Sequence, residues 1–310
     1  MVRSVLLRPV PFSRADRVPN TSKSFFLRIV AFNHSGRKGV FNWLYGPMGL
    51  ANVQRSLNYI RIFTEFISQP EYANVVVMFG IINEALVGNI GRDTLLSLCV
   101  VLFSFVLDST NVCVLCASDL QSHNIMRAIT GLGEGKGPYI AISGGLNTVT
   151  MWPNLLIGVD RVALDTHPYF AFSGDANIEP VNIPAADGQM GGTWPLRACT
   201  QWKVETNDMC ATIRFSFPFQ EIDRFLPSQT SFGVTFAGEY SNGINDCGFY
   251  LQGTETYTPA NPDCAFWNSW ENWDQNTKDG IYNFMLASTD ALEHPFFWTW
   301  KVGTSSTVSA

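Results

Sequence analysis

N-V-V-V-M-F-G-I, residues 74–81, is a short apolar and β-branched run, and I-N-E-A-L (82–86) follows it at once. A strand with one wet face alternates apolar and polar residues. An unbroken run of this length is what a strand buried on both faces of a parallel sheet requires. Upstream, Val53, Leu57, Ile60, Phe63 and Ile67 recur at three- and four-residue spacing, which predicts a helix over 51–67 with one apolar face. Downstream the same signature returns in P-Y-I-A-I (138–142), R-V-A-L-D (161–165), F-G-V-T-F-A (232–237) and F-F-W-T-W (296–300). Helical patterns lie between them near 120–130 and 275–293. Strands alternating with helices predict βα units, a mostly parallel sheet and an α/β fold. A closed (β/α)8 barrel needs eight strands, and about five stand out here.

Two segments interrupt the rhythm. Cys99–Asp119 is strongly apolar, yet Asp108 sits near its middle beside a polar run. A central Asp costs roughly 2.5–3.5 kcal/mol in a membrane span, so no span is expected. The segment reads as a buried helix or strand, or as translated non-coding sequence. Lys203–Phe225 is a similar interruption without a clear period. Residues 1–24 carry arginines, prolines and serines without periodicity and read as an irregular lead-in, leaving 25–310 as one domain with interruptions near 99–119 and 203–225.

The 310 residues are 46% hydrophobic and 15% charged, a globular composition. A net charge of −6 supplies no basic field for phosphates, so nucleic acid is not an expected partner. Cys113 and Cys116 form an isolated C-x-x-C unit, and the seven cysteines offer no second pair to complete a zinc site. The first dozen residues lack the apolar core of a secretory signal. Nine tryptophans and an aromatic share of 13% suit either a large core or a surface that stacks on sugar rings.

In a parallel barrel the chemistry gathers at the carboxyl ends of the strands. Glu84 and Asn83 directly follow the 74–81 run, and Glu239 closes F-G-V-T-F-A-G-E. Two carboxyl groups flanking an anomeric carbon are what glycosidic hydrolysis needs, about 5–5.5 Å apart when configuration is retained. Taken singly, Glu84 reads first as a helix-capping acid, and Glu239 reads as well as half of a salt bridge. His167 and Tyr169 follow the 161–165 strand and could hold a carboxylate or a sugar hydroxyl, or could simply pack. Trp298 and Trp300 fall on opposite sides of a strand at 296–300, because side chains alternate.

At these residues the chain resembles the fungal exo-β-1,3-glucanases of glycoside hydrolase family 5. The motifs are F-N-H-S-G-R (32–37), F-G-I-I-N-E-A-L (79–86), D-T-H-P-Y-F-A-F (165–172), A-G-E-Y-S-N-G-I-N-D-C-G (237–248) and F-F-W-T-W-K (296–301). The resemblance covers most of 31–98, 120–202 and 226–306. It implies a (β/α)8 barrel that is incomplete here, lacking its first strands, with insertions near 99–119 and 203–225. It implies Glu84 as acid/base and Glu239 as nucleophile. Asn83 would hold the substrate 2-hydroxyl, while His167 and Tyr169 would line the site of the terminal glucose and Trp298 would lie beneath that sugar. Phe32 and Phe172 would clamp the next glucose. The implied reaction releases glucose from non-reducing ends of β-1,3-glucan with retention, using no metal or organic cofactor. The implied setting is an extracellular or cell-wall monomer acting on β-glucan polysaccharide or oligosaccharide. A catalytically impaired glucan-binding remnant and an endo-acting β-1,4-glucanase or mannanase are the alternatives. Tyr240 stands where many family members carry Trp, and Asn33-His34 replaces an Asp-Asn pair. The family's strand-three Arg and the His of its H-G-A-P-G loop have no counterpart. Outside the two insertions Cys199, Cys247 and Cys264 remain, an odd number.

Overall fold

The structure is a computed structural model that describes residues 5–7, 25–28, 49–73, 75–85, 87–91, 95, 122–144, 152, 159–172, 174–202, 234–247 and 258–299. The expected insertions at 99–119 and 203–225 lie outside the described residues, as do Phe32 and Trp300. The chain forms two compact units, one drawn from 1–32, 39–148 and 154–165, the other from 33–38, 149–153 and 166–310.

In the first unit, strands β1 (Val5–Leu7), β2 (Phe25–Arg28), β3 (Val76–Gly80), β4 (Tyr139–Ser143) and β5 (Val162–Thr166, whose last residue falls in the second unit) lie side by side in chain order. β1 runs antiparallel to β2 with Leu6 opposite Phe26. From β2 onward the pairing is parallel, with Phe79 opposite Ile140 and Ile142 opposite Leu164. The 1–24 segment is therefore not wholly irregular, because it carries β1. Three residues are too few to display a period, so pairing on β2 decides their conformation.

Helix α1 (Gly49–Ile67) precedes β3, and α2 (Val87–Ile90) and α3 (Ser122–Thr130) fall between β3 and β4. The predicted apolar face of α1 is the buried one: Val53, Leu57, Ile60 and Ile67 are each at most 4% exposed. Phe63, at the margin of that stripe, is half-buried. α1 packs on α3, whose Met126 is fully buried. β3 and β4 contribute Phe79, Ile140 and Ile142 to the same core, as a strand covered on both faces must.

In the second unit, β6 (Thr235–Tyr240) pairs in parallel with β7 (Pro295–Phe297). All six residues of β6 are buried. Helix α4 (Trp194–Gln201) opens with Pro195 in its first turn, where proline's missing N–H costs no hydrogen bond. Helix α5 (Cys264–Trp267) is a single turn, and α6 (Gln275–Leu292) precedes β7. α6 starts at Asp274, whose carboxylate accepts from the Thr277 N–H at 2.8 Å and from its hydroxyl at 2.6 Å. Those two bonds hold the Asp274 carboxyl below its ordinary pKa.

The core of this unit joins Phe170, Trp194, Trp202, Tyr240, Phe284 and Leu292. Gly280 lets α6 approach so closely that an added Cβ would collide with the Val181 carbonyl oxygen. Alanine there would have to push main chain aside.

Strands in chain order, parallel and alternating with helices, give the α/β class expected of part of a (β/α)8 barrel. The predicted strand at 296–300 is corrected: β7 ends at Phe297. Its ladder closes with Phe297 opposite Tyr240, and the Trp298 N–H donates to the Tyr240 carbonyl at 2.9 Å. Trp298 thus lies just past the strand, and side-chain alternation no longer fixes its direction.

Candidate active site

Glu84 belongs to the first unit. β3 ends at Gly80, the Ile81 N–H donates to the Ala141 carbonyl, and the chain turns through Ile82 and Asn83. Glu84 adopts φ +45°, a left-handed conformation uncommon for a residue with a Cβ. The following Ala85 N–H donates to Ser143 Oγ at 3.3 Å, so the end of β4 pins this turn. Left-handed backbone outside glycine clusters at working sites, where the surroundings over-determine it. Asn83 is buried and Glu84 half-buried. Ser143 was not foreseen from sequence, although a small polar residue closing an apolar strand is a readable signal.

Glu239 belongs to the second unit, together with His167, Tyr169, Phe172 and Trp298. It is 4% exposed within β6. The Tyr169 hydroxyl donates to Glu239 Oε2 at 2.9 Å, and His167 Nδ1 stands 3.6 Å from the same oxygen. Burying an ionised carboxylate is costly unless it is paired or hydrogen-bonded, and here a phenol and an imidazole meet it. The Thr166 hydroxyl donates to the Phe236 carbonyl at 3.2 Å, tying the residue before His167 to β6. Past Tyr169, Phe170–Phe172 make one 3-10 turn. Phe172 ends it 55% exposed, with its ring edge-on to Tyr169 at 5.4 Å. Trp298 is half-buried. The structure thus brings His167 and Tyr169 to Glu239, with Phe172 against Tyr169, and places Asn83 and Glu84 on one turn.

The loop after β6 is fastened tightly. Asp246 accepts from Asn177 Nδ2 at 2.8 Å, the Ala260 N–H at 2.6 Å and the Asn261 N–H at 3.1 Å. Cys247 and Cys264 next to it form a disulfide. Their sulfurs are therefore not thiolates available to a metal, although Asp246 lies beside them. Cys199 is disulfide-bonded as well.

No family model matches the chain. It is 27% identical over 221 residues to the "Probable glucan 1,3-beta-glucosidase D" of Aspergillus flavus, covering 71% of this chain and 20% of that protein. The protein of the same name from Aspergillus fumigatus is 25% identical over 295 residues, covering 87% of this chain and 29% of its own length. The chain thus spans between a fifth and three tenths of the curated relatives it matches. Among solved structures, a family 5 xyloglucanase from Paenibacillus pabuli aligns over 92% of this chain and 68% of its own, at 13% identity and a TM-score of 0.46.

Proposed function

We propose that this chain carries the reaction centre of a retaining glycoside hydrolase that releases glucose from the non-reducing ends of β-1,3-glucan. Glu239 is the nucleophile and Glu84 the acid/base. One observation carries the reading: a buried glutamate at a strand end, its Oε2 held by the Tyr169 hydroxyl at 2.9 Å with His167 Nδ1 at 3.6 Å. A nucleophilic carboxylate must be fixed in orientation before it attacks, and those two side chains do that.

In the first step the Glu239 carboxylate bonds to the anomeric carbon as the glycosidic bond breaks. The proton of the Glu84 carboxyl passes to the departing oxygen, so the leaving glucan is neutral. In the second step Glu84, now ionised, takes a proton from water. The hydroxide adds to the anomeric carbon, and the Glu239 ester breaks to return its carboxylate. Two inversions give net retention. The reaction requires Glu84 and Glu239 to face each other across one sugar ring.

Asn83 holds the substrate 2-hydroxyl, Trp298 lies beneath the terminal glucose, and Phe172 with Phe32 grips the next unit. The exposure of Phe172 supports that role, since a clamp must be open to solvent before substrate arrives. The Cys247–Cys264 disulfide supports an extracellular or cell-wall setting, because such bonds persist where the medium is oxidising. The names of the Aspergillus relatives support β-1,3-glucan as substrate, and the acidic chain acts as a monomer on this uncharged polymer.

The test is hydrolysis of laminarin and laminari-oligosaccharides, with product anomers followed by proton NMR. β-Glucose should appear first and mutarotate afterwards. α-Glucose first would contradict retention, and internal fragments would contradict end-wise release. Binding of laminarin without hydrolysis would favour the glucan-binding alternative.

A further inference from the structure

The bond between Tyr169 and Glu239 joins two chain segments, and the residues that follow each of them are both aromatic. Phe170 succeeds Tyr169, and Tyr240 succeeds Glu239. They are 1% and 3% exposed. The ring of Trp202, just past the end of α4, meets both. It stacks on Phe170 with centroids 4.5 Å apart and planes 17° from parallel. It meets Tyr240 edge-on at 6.2 Å and 81°.

We propose that Trp202 is a positioning residue for the nucleophile: it is the spacer that sets the distance between the Tyr169 hydroxyl and Glu239. The assignment rests on the reading of Glu239 as nucleophile. Phe170 and Tyr240 cannot shift independently while one rigid bicyclic ring separates them, because a close-packed interior transmits displacement. Trp202 is 5% exposed and backed by Phe284 at 6.3 Å, so it has no room to retreat. Its backbone N–H donates to the Ala198 carbonyl, which fixes its root on α4.

Trp194, at the other end of α4, makes a fair comparison. It is fully buried, meets Phe170 at 5.6 Å and Phe284 at 5.7 Å, and donates from Nε1 to the Glu179 carbonyl at 3.0 Å. Among the described ring pairs it touches the Tyr169 side alone. Loss of either indole lowers stability, whereas only Trp202 links both halves of the hydrogen-bonded pair.

The experiment compares Trp202→Leu, Trp202→Phe and Trp194→Leu in the full chain, alone and combined with Tyr169→Phe, using an aryl β-glucoside. Trp202→Leu should lower kcat about ten- to a hundredfold with KM within about twofold, since small misplacements of a reacting group carry penalties of that order. Trp202→Phe should recover to within about threefold, and Trp194→Leu should leave kcat within about twofold despite a comparable fall in Tm. In the Tyr169→Phe background, Trp202→Leu should cost little more, because the bond it protects is already gone. Equal kcat losses for both tryptophans, or a Trp202→Leu loss undiminished in that background, would overturn the assignment. Should Trp202→Leu fail to fold, Trp202→Phe against Trp194→Phe makes the same comparison on a smaller scale. Should the unmodified chain cleave no glycoside, the proposed function fails while the spacer role is still decided by crystal structures of the variants. Separation of Tyr169 Oη from Glu239 Oε2 in the Trp202 variant, and not in the Trp194 variant, would support it; an unchanged contact would overturn it.

Discussion

Asp160 and Arg161, immediately before β5, and His167 and Tyr169, immediately after it, hold carboxylates in different ways. At the leading end, Asp160 pairs with Arg127 Nε at 2.8 Å and Arg161 Nη2 at 3.1 Å. Burial pushes the Asp160 carboxyl up, but the hydrogen bonds from Arg161 and the charges of Arg127 and Arg161 outweigh it and hold the pKa low. Burial, with the charge of Arg161, brings the Arg127 guanidinium down to about 10. His123 is lowered too, first by burial and then by Arg127. Further donors from Arg127 and Arg161 reach main-chain carbonyls of Asp160, Arg161 and Gly137. At the trailing end, the Tyr169 hydroxyl donates to Glu239 Oε2 at 2.9 Å and His167 Nδ1 stands 3.6 Å from the same oxygen. At the leading end charge pairing holds the fold; at the trailing end, under the proposed function, the neighbouring groups orient a carboxylate for attack. That division matches the general layout of parallel barrels, with stability at the amino ends of strands and chemistry at the carboxyl ends.

The contrast can be broken most sharply at Glu239. Glu239→Gln should lower glucose release from laminarin by about a thousandfold or more while the circular dichroism spectrum stays unchanged. A variant retaining a tenth of the rate would remove Glu239 from the nucleophile's role. Tyr169→Phe removes one donor and no carbon, so kcat should fall about ten- to a hundredfold. Its loss should exceed that of His167→Asn, because the phenol stands closer; kinetics on one substrate would show the reverse if the imidazole dominates.

At the other end of β5 the expected effect moves from rate to stability. Asp160→Asn leaves Arg127, with a side chain 3% exposed, short of its counter-ion. Breaking such a pair costs about 3 kcal/mol, at the low end of the range because the Asp160 side chain is 22% exposed. The rate per folded molecule should not change, and urea melts together with kcat would show whether the two ends are separable. The pH dependence follows from the sign of the shift. A depressed carboxyl contributes stability that is complete above its ordinary value of 3.8 and is lost as pH falls through the lower folded value. Asp160→Asn should therefore flatten the acid limb of a stability profile below pH about 4. The smallest effect is at Asp274, whose replacement by Ala should lower Tm slightly without altering kcat.

Much of this was legible in the residues. The 74–81 run, the 51–67 stripe and the glutamates behind their strands carry short-range signals, and burial of a whole face follows directly from them. β1 and β2 were not legible, because strands of three and four residues have no period and depend on pairing with distant chain. The end of β7 was misjudged for a related reason: F-F-W-T-W suits a strand throughout, and only its register against Tyr240 shows where the ladder stops. Tyr169 could be nominated from its place behind a strand, but its bond to Glu239 spans seventy positions. Trp202 gave no signal at all, since its importance lies in which two residues it separates. The same holds for the Cys247–Cys264 pairing, which three cysteines could not specify.

The most direct measurement is capture of the covalent intermediate. A 2-deoxy-2-fluoro-β-glucosyl fluoride slows the second step more than the first, so the glycosyl ester should accumulate and be located by peptide mass spectrometry. The assignment of Glu239 as nucleophile requires one adduct, on Glu239, lost in Glu239→Gln and slowed in Tyr169→Phe. An adduct on another carboxylate would contradict it, as would turnover of a β-glucoside that gives α-glucose and no adduct.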